Sequence, residues 1–344
     1  MERRKFLKAS ALSAASLLLM PRDVFTQDQA EQFMTVLGPV VKKDLGVTLI
    51  HEHIMADFIG AAETGPHRYK VEEVVAKALP FLQDLKRAGC KTFVDCTGTY
   101  LGRDAGVLKQ CAVESGLNII GATGNYGALA EKFLPSYAYA ETAEQLAARW
   151  IAEWKNGMDG TGIRPGLIKT SVDTGPLKPV CKKLITAAAI AHLQTGLTIS
   201  IHTGDGKAAM EEMTLLKKAG VHLSAYRWVH AQNEKDKELH LRAAKEGAWL
   251  EFDGINGDDP KNIQEHVAFV KNMKDNGFLK QTLISQDAGW YHVGEPDGGK
   301  FRGFTGIFEK FVPALKDAGF SPAEINQLLV ENPAESLRIK IRKV

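Results

Sequence analysis

His51, His53, Lys169, His202, His230 and Asp287 are scattered over two thirds of the chain, yet each falls at the end of a short apolar run that reads as a strand. Together they form a donor set for two divalent ions. Imidazole nitrogen and carboxylate oxygen suit zinc, with manganese, cobalt and iron as neighbours in ligand preference. His51 and His53 flank Glu52 at the close of Gly46-Val47-Thr48-Leu49-Ile50, and the period of two along an extended chain puts both imidazoles on one side, within reach of one ion. His202 closes Thr198–Ile201 and His230 closes Tyr226–Val229, at equivalent places in their units, which suits a second ion. Asp287 closes Leu283–Gln286, where a carboxylate can bind the first ion and also take a proton. Lys169 is a cation in a ligand's place. An amine held beside dications is pushed towards its neutral form, which reacts with carbon dioxide to give a carbamate, an anion with one oxygen for each of two ions about 3.5 to 4 Å apart. Taken singly, each residue reads equally well as a satisfied polar group at a strand end, and Lys169 as an ammonium stretching out of the mouth. The metal reading rests on the set.

Such a set must be gathered by strands that end at one face. Eight strand candidates follow in order: 47–51, 91–96, 118–123, 165–169, 198–202, 226–230, 248–253 and 283–287. Between them, 71–88, 141–155, 178–194 and 261–276 space their apolar residues three and four apart, as amphipathic helices do. Glycines at 89, 116, 196, 220, 247 and 277 precede the following strand, the expected left-handed helix caps. The strands are continuous apolar runs, so both faces should be buried, as in a parallel sheet covered by helices. The expected fold class is therefore α/β, a (β/α)8 TIM barrel, with strand ends meeting at one mouth. A doubly wound open sheet competes, but no Gly-rich phosphate turn follows the first strand. Ahead of the barrel, Met34–Val40 and Gly46–His51 read as two extended segments of a short hairpin around a polar turn at Lys42-Lys43-Asp44, and Ser321–Val344 reads as one C-terminal capping helix with a basic end.

With 344 residues, 44% of them hydrophobic, the chain can build one large domain, read as 33–344. The net charge of +2 and the lack of basic runs point away from nucleic acid, and no apolar stretch approaches the roughly 20 residues of a membrane span. Residues 1–27 are a separate matter. Arg3-Arg4-Lys5-Phe6-Leu7-Lys8 before an Ala/Ser/Leu-rich run resembles a twin-arginine export signal, with Glu2 where Ser or Thr usually stands. The expectation is a periplasmic or extracellular protein, exported folded with its metals already bound. Cys90, Cys96, Cys111 and Cys181 lack metal spacing and read as buried thiols, with Cys90–Cys96 the one bridge left open. His67, His192, His222, His240 and His266 read as surface or satisfied residues, and Asp205 and Asp253 as strand-end hydrogen bonders.

From Met34 to Leu337 the chain resembles the phosphotriesterase-like family of the amidohydrolase superfamily. The resemblance is carried by Thr35-Val36-Leu37-Gly38-Pro39, by Leu45–His53, by Lys169, His202, His230 and Asp287, and by Glu331-Asn332-Pro333. It implies that His51, His53 and Asp287 hold a buried ion, that His202 and His230 hold an exposed one, and that a carboxylated Lys169 and a hydroxide bridge them. The hydroxide would then be the nucleophile, Asp287 the proton acceptor, and no covalent enzyme intermediate would be needed. Tyr126, after Gly124-Asn125, stands where lactonases of this family place a tyrosine that contacts the catalytic centre, and Leu101-Gly102-Arg103-Asp104 is similar to theirs. Where those lactonases have arginine after the strand-seven aspartate, this chain has Asp253-Gly254, which argues against an acyl-homoserine lactone. Trp290, Tyr291 and His292 are expected to wall the substrate pocket beside Tyr126. The implied activity is hydrolysis of a small-molecule lactone or carboxylic ester, with phosphotriesters as side substrates, by a protein that, as the family often does, forms homodimers. An amidase or deaminase acting on C–N bonds, or a barrel that binds without turnover, are the competing expectations.

Overall fold

The computed structural model describes residues 32–344. The export signal read at 1–27 lies outside them. The chain starts with an antiparallel hairpin, β1 (Gln32–Thr35) and β2 (Gly38–Val41). Here the expectation of one extended segment through Met34–Val40 is corrected, because the chain reverses at Val36-Leu37. The Thr35 hydroxyl donates to the Gly38 carbonyl at 2.7 Å and accepts from the Leu37 N–H, and Gly38 takes φ +116°, which a side chain would resist. Lys42-Lys43-Asp44, read as the turn, falls in a single helical turn, Lys42–Leu45.

The strands that follow are β3 (Thr48–Ala56), β4 (Thr92–Asp95), β5 (Asn118–Ile120), β6 (Ala122–Thr123), β7 (Leu167–Val172), β8 (Thr198–Thr203), β9 (Tyr226–Val229), β10 (Trp249–Phe252), β11 (Thr282–Ile284) and β12 (Gly289–His292). All their pairings are parallel, in two ladders: β12-β3-β4-β5 and β6-β7-β8-β9-β10-β11. β5 and β6 are halves of one strand broken at Gly121, whose carbonyl accepts from Gly166 N–H at 2.8 Å. At the other seam, Asp287 N–H donates to the His51 carbonyl at 3.1 Å and His51 N–H to Ser285 Oγ at 3.0 Å. The strand order therefore runs round from β3 to β11 and back to β3, the (β/α)8 barrel. The six expected helix-cap glycines all have positive φ.

Inside, alternation sorts the side chains into layers. The lower layer is apolar: Ile50, Val94, Ile120, Leu167, Trp249 and Leu283 pack with Phe33 of the hairpin and with Ala334 and Leu337 of the last helical stretch, so hairpin and last helical stretch together plug the bottom. That last stretch is not one regular helix, since a π-type turn at Gln327–Glu331 joins Pro322–Asn326 to Asn332–Leu337. Above this layer sit Arg227 and Glu251, both fully buried and ion-paired, and above them the mouth. The four cysteines are buried free thiols. Cys90 and Cys96 flank opposite ends of β4, roughly 20 Å apart at strand rise, so the bridge left open does not form.

Three of the expected strand ends are corrected. The first strand runs on to Ala56, so His51 and His53 lie within it rather than at its end. The extension exists because β12, a parallel strand outside the eightfold count, pairs with His53–Ala56. Lys169 and His202 likewise lie inside β7 and β8.

Candidate metal centre

A bulge shapes β3 where it matters. Leu49 pairs with Phe93 and Glu52 with Asp95, so β3 carries one residue more than β4 across that step. Ile50 thereby points into the lower apolar layer, while His51 and His53 both face the mouth. His53 Nε2 lies 3.0 Å and His51 Nε2 3.8 Å from Asp287 Oδ1.

The opposite ring nitrogens are all engaged. His51 Nδ1 lies 2.8 Å from both Glu251 Oε1 and Asp253 Oδ2, His53 Nδ1 2.8 Å from Thr97 Oγ1, and His230 Nδ1 2.6 Å from Asp253 Oδ1. Carboxylate and hydroxyl partners on Nδ1 fix the tautomer and leave each Nε2 with its lone pair for a cation. Lys169, buried to 1% exposure, points its Nζ at His51 Nε2 from 3.2 Å. Asp287 Oδ1 is buried and has no hydrogen-bond donor, a cost that a bound cation would remove. The residues therefore fit an ion held by His51, His53 and Asp287, whose donor atoms lie within 4.8 Å of one another. His51, His230 and Asp253 are grouped as closely, but there Asp253 meets the Nδ1 faces, so it positions ligands instead of binding metal.

His202 and His230 come together across the mouth, ring centroids 4.3 Å apart. His202 Nδ1 lies 2.9 Å from the Tyr126 hydroxyl. Burial, then the neighbouring His230 and Lys169, hold the His202 imidazole well below its ordinary value, in the neutral form a metal requires. Burial likewise keeps His53 low. For Asp287 burial acts the other way, but His51 and His53 outweigh it and hold the carboxyl well below the usual carboxylate range.

Backbone strain collects here. His230 (φ +61°), Asp287 (φ +50°) and Trp290 (φ +73°) take left-handed conformations that non-glycine residues adopt at a cost. Glu52 holds the Asp287 turn in place. Its buried carboxylate accepts from Ser285 Oγ at 2.8 Å, Gln286 N–H at 3.0 Å and Ala288 N–H at 2.7 Å. Burial pushes this carboxyl up to about 7 against the pull of those donors.

The six ligand-type residues are thus brought to one place, with Tyr126 beside them. Of the three expected pocket residues, Trp290 stacks on the His53 ring at 3.8 Å and His292 follows on the same face of β12. Tyr291, between them in an alternating strand, faces the other way, against Gly298 and the side of Glu73 and Lys70. Sequence reading assigned no role to Glu52, Thr97, Arg227 or Glu251. A signal existed for the last: Trp249-Leu250-Glu251-Phe252-Asp253 carries two carboxylates two apart in an apolar run, hence on one interior face. The five other histidines lie elsewhere; His192, for instance, is bonded to the Leu197 carbonyl and Arg342 N–H. Asp205 caps the helix Gly206–Lys218.

Comparison with known proteins adds an independent finding. The profile of the Phosphotriesterase family matches residues 31–337. The chain is 28% identical over 291 residues to a phosphotriesterase homology protein of Escherichia coli, covering 84% of this chain and 97% of that one. It is 27% identical over 346 residues to an N-acetyltaurine hydrolase of Danio rerio, covering 89% and 97%. To an aryldialkylphosphatase of Saccharolobus solfataricus it is 26% identical over 302 residues, covering 86% and 95%.

Proposed function

The chain belongs to the phosphotriesterase family of metal-dependent hydrolases, and on that footing we propose that it hydrolyses a lactone or carboxylic ester, with phosphotriesters as side substrates. The observation that carries the reading is the buried, donor-free Oδ1 of Asp287 facing the Nε2 atoms of His51 and His53. In this proposal His51, His53 and Asp287 hold the first ion, His202 and His230 the second, and Lys169, as a carbamate, reaches both. When bound, two dications supply an acidified water and polarise the oxygen of a carbonyl or phosphoryl group.

The remaining work falls to the chain. Asp287, kept as a carboxylate, accepts the proton of the attacking water and returns it to the departing alkoxide. Tyr126 stands beside His202 with its hydroxyl at the mouth, placed to orient the substrate's carbonyl end. Glu251 and Asp253 keep His51 and His230 in the tautomer that presents Nε2.

The test is a panel of lactones, aryl esters, paraoxon-type triesters and N-acyl amines assayed with zinc-, manganese- or cobalt-loaded protein. Ester or lactone turnover that exceeds amide turnover supports the proposal. Turnover confined to N-acyl amines supports the second reading, a C–N hydrolase, which the N-acetyltaurine hydrolase relative favours. About two equivalents of metal per chain without any turnover would leave a binding protein. Export through residues 1–27 is also proposed, and is tested by whether replacing Arg3 and Arg4 by lysine retains the protein in the cytosol.

A further inference from the structure

Asp287 sits on a turn whose main-chain groups are all engaged. Its N–H donates to the His51 carbonyl at 3.1 Å, and the Ala288 carbonyl accepts from His53 N–H at 2.9 Å. Gln286 and Ala288 give their N–H groups to Glu52 at 3.0 and 2.7 Å. The carbonyls of Gln286 and Asp287 go elsewhere: both accept from Nη2 of Arg302, the second at 2.8 Å, with Trp290 Nε1 joining it at 3.0 Å. Gly289 exchanges N–H and carbonyl with the Arg302 backbone, both at 3.0 Å. Every main-chain N–H and C=O from Gln286 to Gly289 therefore has a partner, and Arg302 alone meets groups of Gln286, Asp287 and Gly289.

The peptide between Asp287 and Ala288 is the critical one. Its carbonyl faces the Arg302 guanidinium and its N–H faces the buried Glu52 carboxylate, so a cation and an anion pin opposite ends of one dipole. Asp287 is left-handed at φ +50°, and the shortest escape from such a turn is to flip the peptide that follows. A flip would present the C=O to the carboxylate and the N–H to the guanidinium. Both contacts would turn repulsive. Arg302 is itself anchored, because Phe301 beside it stacks on Phe81 with centroids 4.7 Å apart and Phe304 meets Phe93 edge-on at 5.0 Å. Gln286 Nε2 adds a bond to the Phe304 carbonyl at 2.7 Å. The Arg302 backbone cannot shift without drawing both rings out of the core.

We propose that Arg302 is a positioning residue for Asp287, locking with Glu52 the peptide that follows the aspartate so that Oδ1 stays aimed at the Nε2 atoms of His51 and His53. The role rests on the metal reading of those three residues, and extends it to a side chain that no candidate ligand set includes.

The experiment compares wild type, Arg302→Met and Arg302→Lys in two arms. In metal-free protein, hydrogen exchange is followed by mass spectrometry over residues 285–292, with 166–172 around β7 as reference. Arg302→Met should speed exchange at 285–292 by about ten- to hundredfold, the scale of a lost hydrogen bond to a charged group, and leave 166–172 within about threefold, with Arg302→Lys in between. Zinc titration should then show the tighter step, that of His51, His53 and Asp287, weakened by at least about tenfold and the other step by less than about threefold. Exchange at 285–292 within about threefold of wild type, exchange accelerated alike at 166–172, or a tighter step weakened no more than the other overturns the role. Should Arg302→Met fail to fold, Arg302→Lys decides by the same criteria. If wild type takes up no zinc yet exchange at 285–292 depends on Arg302, the lock on the turn stands and the metal reading falls.

Discussion

Asp253→Asn separates the two halves of the centre. Asp253 Oδ1 takes His230 Nδ1 at 2.6 Å and Gln232 Nε2 at 2.8 Å, while Oδ2 takes His51 Nδ1 at 2.8 Å and His230 N–H at 3.2 Å. An asparagine amide cannot satisfy all four. With its NH2 at the Oδ1 position it opposes His230 Nδ1 and Gln232 Nε2, and with its NH2 at the Oδ2 position it opposes His51 Nδ1 and the His230 backbone N–H, so His230 loses one partner in either orientation and His51 in only one. His51 has a second acceptor in Glu251 Oε1 at 2.8 Å. A buried hydrogen bond to a charged group contributes about 1.5 to 3 kcal/mol, which at 1.4 kcal/mol per tenfold is roughly 10- to 150-fold in affinity. The expected outcome is asymmetric. The ion served by His202 and His230 should weaken by about one to two orders of magnitude, in line with other losses of an imidazole's carboxylate partner, while the ion served by His51, His53 and Asp287 weakens by less than about tenfold. Zinc titration of metal-free protein against a chromogenic chelator resolves the two steps. Equal weakening of both, or greater weakening of the tighter one, would refute the reasoning.

Three further outcomes are expected. Lys169→Ala should hold fewer than two metal equivalents and lose activity, with neither restored by bicarbonate; unchanged metal content would remove the carbamate bridge. Gly124 has φ +118°, and a Cβ there would collide with the Lys169 carbonyl oxygen, so Gly124→Ala should destabilise the fold by about 2 to 4 kcal/mol, read as a lower urea midpoint, and displace Lys169. Away from the mouth, Glu212 is fully buried against Thr203 Oγ1 and the Tyr226 hydroxyl, and burial pushes its carboxyl up to about 8. The native state therefore holds this proton more tightly than the unfolded chain does, so this group's contribution to stability is full below about pH 4.5 and is lost as pH rises towards 8, by at most about 5 kcal/mol. Glu212→Gln should flatten that slope in urea unfolding at pH 5 and 8, and an identical wild-type and variant slope would count against it.

The candidate ligand residues were legible because each is a metal-type side chain closing an apolar run, a place where a polar group costs stability unless something binds it. Barrel closure was legible from the same runs and the glycines between them. What lay beneath the ligands was not. Arg227 in Tyr-Arg-Trp-Val and Glu251 in Trp-Leu-Glu-Phe are interior residues whose pairing depends on β9 lying beside β10 in a register that no local pattern encodes. β12 escaped for a different reason. Gly289–His292 follows the eighth strand without a helix, and it is extended only because β3 runs long enough to pair with it. That same pairing decides which of its aromatic residues face the mouth, so Tyr291 could not be told from Trp290 until the register was known.

His51-Glu52-His53 is best understood as a single device. The outer residues point their Nε2 atoms at Asp287, and the middle one, on the opposite side of the strand, supplies the carboxylate that gathers Ser285, Gln286 and Ala288 around the Asp287 turn. A left-handed aspartate would relax towards an ordinary conformation if only its own side chain held it. With backbone N–H groups on either side of it bonded to Glu52, the third candidate ligand is fixed by the strand that carries the first two. Candidate ligands 234 or more residues apart in sequence are thereby tied to one strand. That rigidity gives a physical reason for a charged residue at the most buried position of the motif, where its own burial is unfavourable.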